Sequence, residues 1–141
     1  MRRVSMQMTD NTVSDRWWKA LVEHFVREGA ALELRCWQEE TEEIRAASRY
    51  GTPVCENCEV VVKGTVTQAL LQELQAEQPT DKSLYNKMTK YFALCVTAEG
   101  CLFSGEHYGT ELYIEGLSDG DLAWFRRTIA PYQAAFSMEI A

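Results

Sequence analysis

Long apolar runs, a paired cysteine framework, phosphate-cradling glycine loops and a full complement of bases are all missing from this 141-residue chain. Without an apolar stretch long enough to span a bilayer, and with Met1-Arg2-Arg3 followed by polar residues instead of a secretory apolar core, the expected compartment is the cytoplasm. The cysteines, at 36, 55, 58, 95 and 101, are odd in number and scattered. That pattern does not suit an exported disulfide scaffold, so reduced thiols are expected. Only 14 Lys and Arg stand against 21 Asp and Glu, a formal charge of -7. Such a surface repels nucleic acid and anionic lipid and favours a basic protein partner. No metalloprotease helix motif, kinase signature or complete catalytic set is present, so a binding role is expected over an enzyme.

What is present suffices for a core. Apolar residues make up 46 % of the chain, and a chain of this size buries about two-thirds of its unfolded surface. No metal or disulfide is then needed to hold it together. Residues 1–13 show no periodicity and read as a flexible arm, leaving 14–141 as a single domain. Ser14 is placed to cap a helix running to about Glu28, with Trp17, Leu21 and Phe25 on its apolar face and Gly29 at its end. His24, a lone histidine beside Phe25, reads as a boundary residue and is given no role.

Leu32, Leu34 and Cys36 alternate with charged residues as in a strand. Glu39 to Tyr50 reads as a helix, and the segment around Pro53 as a loop. Val60 to Lys63 reads as a second strand, followed by a helix capped by Thr65 or Thr67 and closed by Pro79. Asp81 or Ser83 would open a further helix through Leu84, Tyr85 and Met88. From Tyr91 to Glu115 three alternating strands separated by two short turns predict a meander. Ser118 to Asp121 resembles a capping box for a helix to Ile129, and Phe136, Met138 and Ile140 alternate as in an edge strand. The expected class is α+β, with a mainly antiparallel sheet, a mixed sheet being the alternative, covered on one face by helices.

Two short patterns have chemical precedent. Cys55-Glu56-Asn57-Cys58 lets two thiolates reach one zinc ion, although the remaining ligands would have to come from isolated residues. The following Val60–Val62 strand and two flanking glutamates disfavour a redox thiol there. Cys101, Glu106, His107 and Tyr108 invite a nucleophile-and-base pocket, provided that the loop near Gly105 and Gly109 folds them together, since six extended residues span about 20 Å.

The charge is uneven. Residues 31–60 carry -4 and residues 91–141 carry -5, whereas the other two segments each carry +1. Acids at the start of the predicted helix offset its partial positive charge. They also lie beside aromatic residues: Trp37 with Glu39, Glu40, Glu42 and Glu43, and Tyr108 and Tyr113 in the second segment. The expected function is a small acidic protein that occupies a basic surface of a partner, as inhibitors and immunity proteins do, with charge steering the encounter and rings supplying affinity. A small enzyme with a pocket near Cys101 and His107, and a zinc-supported regulatory module using Cys55 and Cys58, are the alternatives.

Overall fold

The computed structural model describes residues 2–78 and 87–141. Among these residues eight strands form one sheet: β1 (Arg2–Met8), β2 (Ala31–Trp37), β3 (Gly51–Glu56), β4 (Glu59–Thr65), β5 (Ala93–Ala98), β6 (Cys101–Glu106), β7 (Glu111–Leu117) and β8 (Phe136–Ile140). Their spatial order is β3-β4-β2-β5-β6-β7-β1-β8, and every neighbouring pair is antiparallel. The helices are α1 (Arg16–Phe25), α2 (Thr41–Ala47), α3 (Gln68–Ala76) and α4 (Asp119–Ile129), with a 3-10 turn at Ala130–Ala135 leading into β8. This is an α+β fold, and its sheet is larger than the expected meander, which survives as β5-β6-β7.

Alternation in the strands decides which face the helices cover. On β2, Leu32, Leu34 and Cys36 are buried while Glu33, Arg35 and Trp37 are half-exposed. On β1 and β7 the buried positions are Val4 and Met6, Leu112 and Ile114. These residues join Trp17, Trp18, Leu21, Val22 and Phe25 of α1, Leu70 and Leu74 of α3, and Leu122, Phe125 and Ile129 of α4 in one core. The opposite face is left to Glu33, Arg35, Lys63, Tyr113 and Glu115, as a one-faced antiparallel sheet allows.

The seat of α1 depends on missing side chains. A Cβ on Gly105 would come within 2.7 Å of the Trp18 ring, and one on Gly109, whose φ is +85°, within 2.8 Å of Met88 Cβ. Bare backbone at these positions lets the Trp18 ring pack directly against β6 and the turn that follows it. The β5–β6 turn has both central residues, Glu99 and Gly100, at positive φ, the geometry that matches the twist of a two-residue hairpin.

Several expectations change. Residues 2–8 are not a loose arm: Val4 and Met6 alternate with Ser5 and Gln7, and the strand lies between β7 and β8. Three methionines and small polar residues hid a period of two over a short stretch. The Pro53 segment is not a loop but the edge strand β3, where a residue lacking an N–H is tolerated. The sheet is not mixed, because β3 and β4 fold back as a hairpin and bring β4 antiparallel to β2. Helix α1 is shorter than expected and ends at Phe25, and its N-cap residue is Asp15, without a side-chain cap bond. Thr67 caps α3 and Ser118 caps α4, accepting from Leu70 N–H at 3.2 Å and Asp121 N–H at 3.0 Å. Pro79 and the helix expected from Asp81 or Ser83 lie outside the described residues, apart from Met88, which is buried.

Candidate protein-binding surface at the acidic end of the sheet

The ladder brings part of each acid-rich segment to one end of the sheet, Glu106 and Glu111 from the second, while Glu99 and Asp121 of that segment lie at the other end. Arg35 pairs with Ala93 and Leu94 with Gly105, so the end of β2, the start of β5 and the end of β6 lie together. The rings confirm it: Trp37 lies 4.6 Å from Phe92, and Phe92 lies 5.2 Å from His107 and 5.3 Å from Tyr108. The β3–β4 hairpin tip reaches the same place, because Gln38 N–H bonds Cys58 C=O at 3.0 Å and Gln38 Nε2 bonds Asn57 C=O at 2.6 Å.

Two pairs of glutamates face each other in register at this end, Glu56 with Glu59 and Glu106 with Glu111. Like charges directly opposite each other destabilise a sheet. The repulsion is only partly relieved. Arg35 bonds Glu59 at 3.4 Å and Glu33 at 2.7 Å, and the Glu33 bond raises its guanidinium pKa further. His107 Nδ1 lies 2.9 Å from Glu111, and Ser104 donates to Glu106 at 3.2 Å. Burial nevertheless holds the Glu106 carboxyl above its ordinary range. Among the described residues Glu39, Glu42, Glu43 and Glu56 form no ion pair.

The residues singled out from sequence divide into three groups. Glu39 and Glu42 are exposed and Glu43 half-exposed, all at the start of α2 beside half-exposed Trp37. Glu40 is occupied: one oxygen accepts Trp37 N–H at 2.7 Å, the other the Tyr108 hydroxyl at 3.0 Å. Tyr108 is buried and lies under the Lys87 ammonium, 4.1 Å from its ring centre, so it braces the end of the sheet instead of facing outward. Tyr113 is exposed, but in the middle of β7 on the open face and away from α2. His107, Tyr108 and Gly109 follow one another at positive φ, at 49°, 61° and 85°. Two non-glycine residues in that region mark a strained turn.

Cys55 and Cys58 are both exposed at the hairpin tip. The other cysteines, needed to complete a zinc site, are elsewhere: Cys36 is in the core, Cys95 on the open face bonded to Ser104 at 3.3 Å, and Cys101 at the far end of β6. Among the described residues no group of three or more His, Cys, Asp or Glu is placed to hold a metal ion.

The pocket expected around Cys101 and His107 does not form. The whole of β6 separates them, since Cys101 abuts the β5–β6 turn and His107 the β6–β7 turn. Cys101 instead lines a cleft of ≈ 660 Å³ at the opposite end, with His24, Arg27, Glu28, Ser118 and Asp121. There His24 Nε2 lies 2.9 Å from Asp121 and its ring stacks on Trp124 at 3.8 Å, and the bond lowers the Asp121 pKa. Burial and the Asp121 charge raise the Cys101 thiol, so it is not an activated nucleophile. His24 has a partner that local sequence does not show, 97 positions away.

Compared with family models, with curated proteins and with solved structures, the chain matches none of them. Among the described residues no helix is long and apolar enough to cross a membrane.

Proposed function

We propose that this is a small cytoplasmic binding protein that occupies a basic surface of a partner protein, in the manner of an inhibitor or immunity-type neutraliser, with the acidic end of the sheet as its docking face. The observation that carries this reading is the pair of in-register glutamate oppositions at the same end as four glutamates that form no ion pair among the described residues. A sheet that keeps Glu56 against Glu59 and Glu106 against Glu111 forgoes stability that a neutral residue would restore, and a basic partner offsets that cost on binding. Trp37, half-exposed like Phe92 beside it, lies next to these acids in the chain and is the natural contact residue. The same field disfavours nucleic acid.

The test is capture by the immobilised protein at low and raised salt, beside a variant with Glu39, Glu42, Glu43 and Glu56 changed to Lys. A specific partner held by the parent chain, released by salt and lost on the variant supports the proposal. Retention of the same partner by the charge-reversed chain removes it.

A second reading, as a small-molecule-binding domain or enzyme, draws on the cleft at the other end, where His24, Asp121 and Cys101 converge. A ligand whose stabilisation of the fold is lost on His24→Ala but kept on the four-lysine variant would favour it.

A further inference from the structure

The two edges of the sheet are guarded differently. On β3, Pro53 interrupts the row of backbone donors, a common protection against edge pairing. The other edge, β8, reads Phe136-Ser137-Met138-Glu139-Ile140, with no proline, no lysine and no register shift against β1.

The ladder fixes which backbone groups of β8 are free. Arg3 and Ala141 exchange both hydrogen bonds, at 2.9 and 3.0 Å, and Thr9 N–H bonds Ala135 C=O at 2.8 Å. Bonded residues alternate along an antiparallel strand, so Ser137 and Glu139 face β1, and the N–H and C=O groups of Phe136, Met138 and Ile140 point away from the sheet. Phe136 N–H closes onto Gln133 C=O. The C=O of Phe136 and both groups of Met138 and Ile140 have no hydrogen-bond partner among the described residues. The side chains of the same three residues lie half-buried on the core side, with Phe136 4.8 Å from Trp17.

We infer that β8 pairs antiparallel with β8 of a second copy of this chain, about a two-fold axis at Met138. In that register Met138 exchanges both backbone bonds with its mate, and each Ile140 N–H meets a Phe136 C=O. Phe136 faces Ile140 and Met138 faces itself, which continues the apolar row from one copy into the next. On the open face Ser137 meets Glu139, so no like charges stand opposite. A register centred on Glu139 would satisfy as many backbone groups but would set that carboxylate against its own mate, which electrostatics disfavours. The isologous contact closes on itself and leaves only the two β3 edges, each carrying Pro53. Because the strands run in opposite directions, the two acidic ends point away from each other and stay open.

Sedimentation of the full chain over a range of concentrations tests this, with amide exchange read residue by residue. The mass is expected to rise from one chain towards two. Met138 and Ile140 amides should become protected as it rises, while Ser137 and Glu139 stay protected throughout. Met138→Pro removes an N–H that faces away from β1 and should weaken dimerisation about tenfold or more. Ile140→Pro removes the other outward donor and should do the same. A chain that is monomeric at every concentration, or Met138 and Ile140 amides that exchange equally fast in dilute and concentrated samples, overturns the inference. So does a dimer indifferent to both prolines. If Met138→Pro fails to fold by circular dichroism, amide exchange in the parent chain decides the matter.

Discussion

Glu56 and Glu59 stand directly opposite each other where β3 turns into β4, and among the described residues only Glu59 has a cation, Arg35, bonded to it. Replacing Glu56 by Thr removes the opposition, and replacing it by Lys converts it to attraction. Either change is expected to raise stability by about 0.2 to 1 kcal/mol in denaturant unfolding. Under the proposed function the lysine variant should also bind a basic partner more weakly, so stability and binding should move in opposite directions.

Tyr108→Phe deletes the hydroxyl that bonds Glu40 and leaves that carboxylate oxygen without its partner at the end of the sheet. The expected loss is about 1.5 to 3 kcal/mol, the range for a bond to a charged group. Trp37 fluorescence should shift as well, because Glu40 also fixes the Trp37 backbone.

Glu77 gives the fold a pH dependence that can be read directly. Its oxygens accept from the Thr89 hydroxyl at 2.8 Å and Lys90 N–H at 2.9 Å, and the Lys90 and Glu73 charges act on it with opposite signs. Burial is the largest influence and holds its carboxyl up at about 7, against an ordinary 4.5. A carboxyl raised in the folded state binds its proton more tightly than in the unfolded chain. Its contribution is therefore complete below about 4.5 and is lost as pH rises through 7. The shift corresponds to roughly 3 kcal/mol. Glu77→Gln should flatten that decline between pH 4.5 and 7 in unfolding curves taken across the range.

His24→Phe keeps a ring on Trp124 but removes the bond to Asp121. The Asp121 carboxyl, now held low, should rise in a carbon-detected NMR titration. The stability owed to this bond is present above the ordinary aspartate range and fades as pH falls through the lowered value. The variant should therefore lose the acid-side part of the stability profile.

Gly109→Ala places a Cβ 2.8 Å from Met88 at a φ of +85°. The expected cost is about 1 to 3 kcal/mol, the scale of a strained residue, measured as a fall in the unfolding midpoint. Exchange of the neighbouring Tyr108 and Thr110 amides should quicken with it.

Spacing that repeats through several apolar residues was readable: β2, the β5-β6-β7 meander, the apolar stripe of α1 and the start of α4 all follow from it. Strands whose partners are far away were not. β1 holds only Val4 and Met6 on its buried face, too little local pattern to register, and β3 gains its identity from β4 alone, with nearly every residue exposed. At the acidic end the glutamates of α2 and Trp37 were visible as a run, yet their meeting with Glu106 and Glu111 comes from strand order. The bracing role of Glu40 and Tyr108, 68 positions apart, has no local signal, and the same holds for His24 and Asp121.

The place of β1 has a consequence for how the molecule is made. Among the described residues, 2–8 pair only with 111–117 and 136–140, so this strand has no neighbour until more than a hundred residues have followed it. Closing so wide a loop is slow, and folding should show a late phase in which the meander, β2 and β4 are already protected while Val4 and Met6 still exchange with solvent. A chaperone that shields bare strand edges would find its client in that interval.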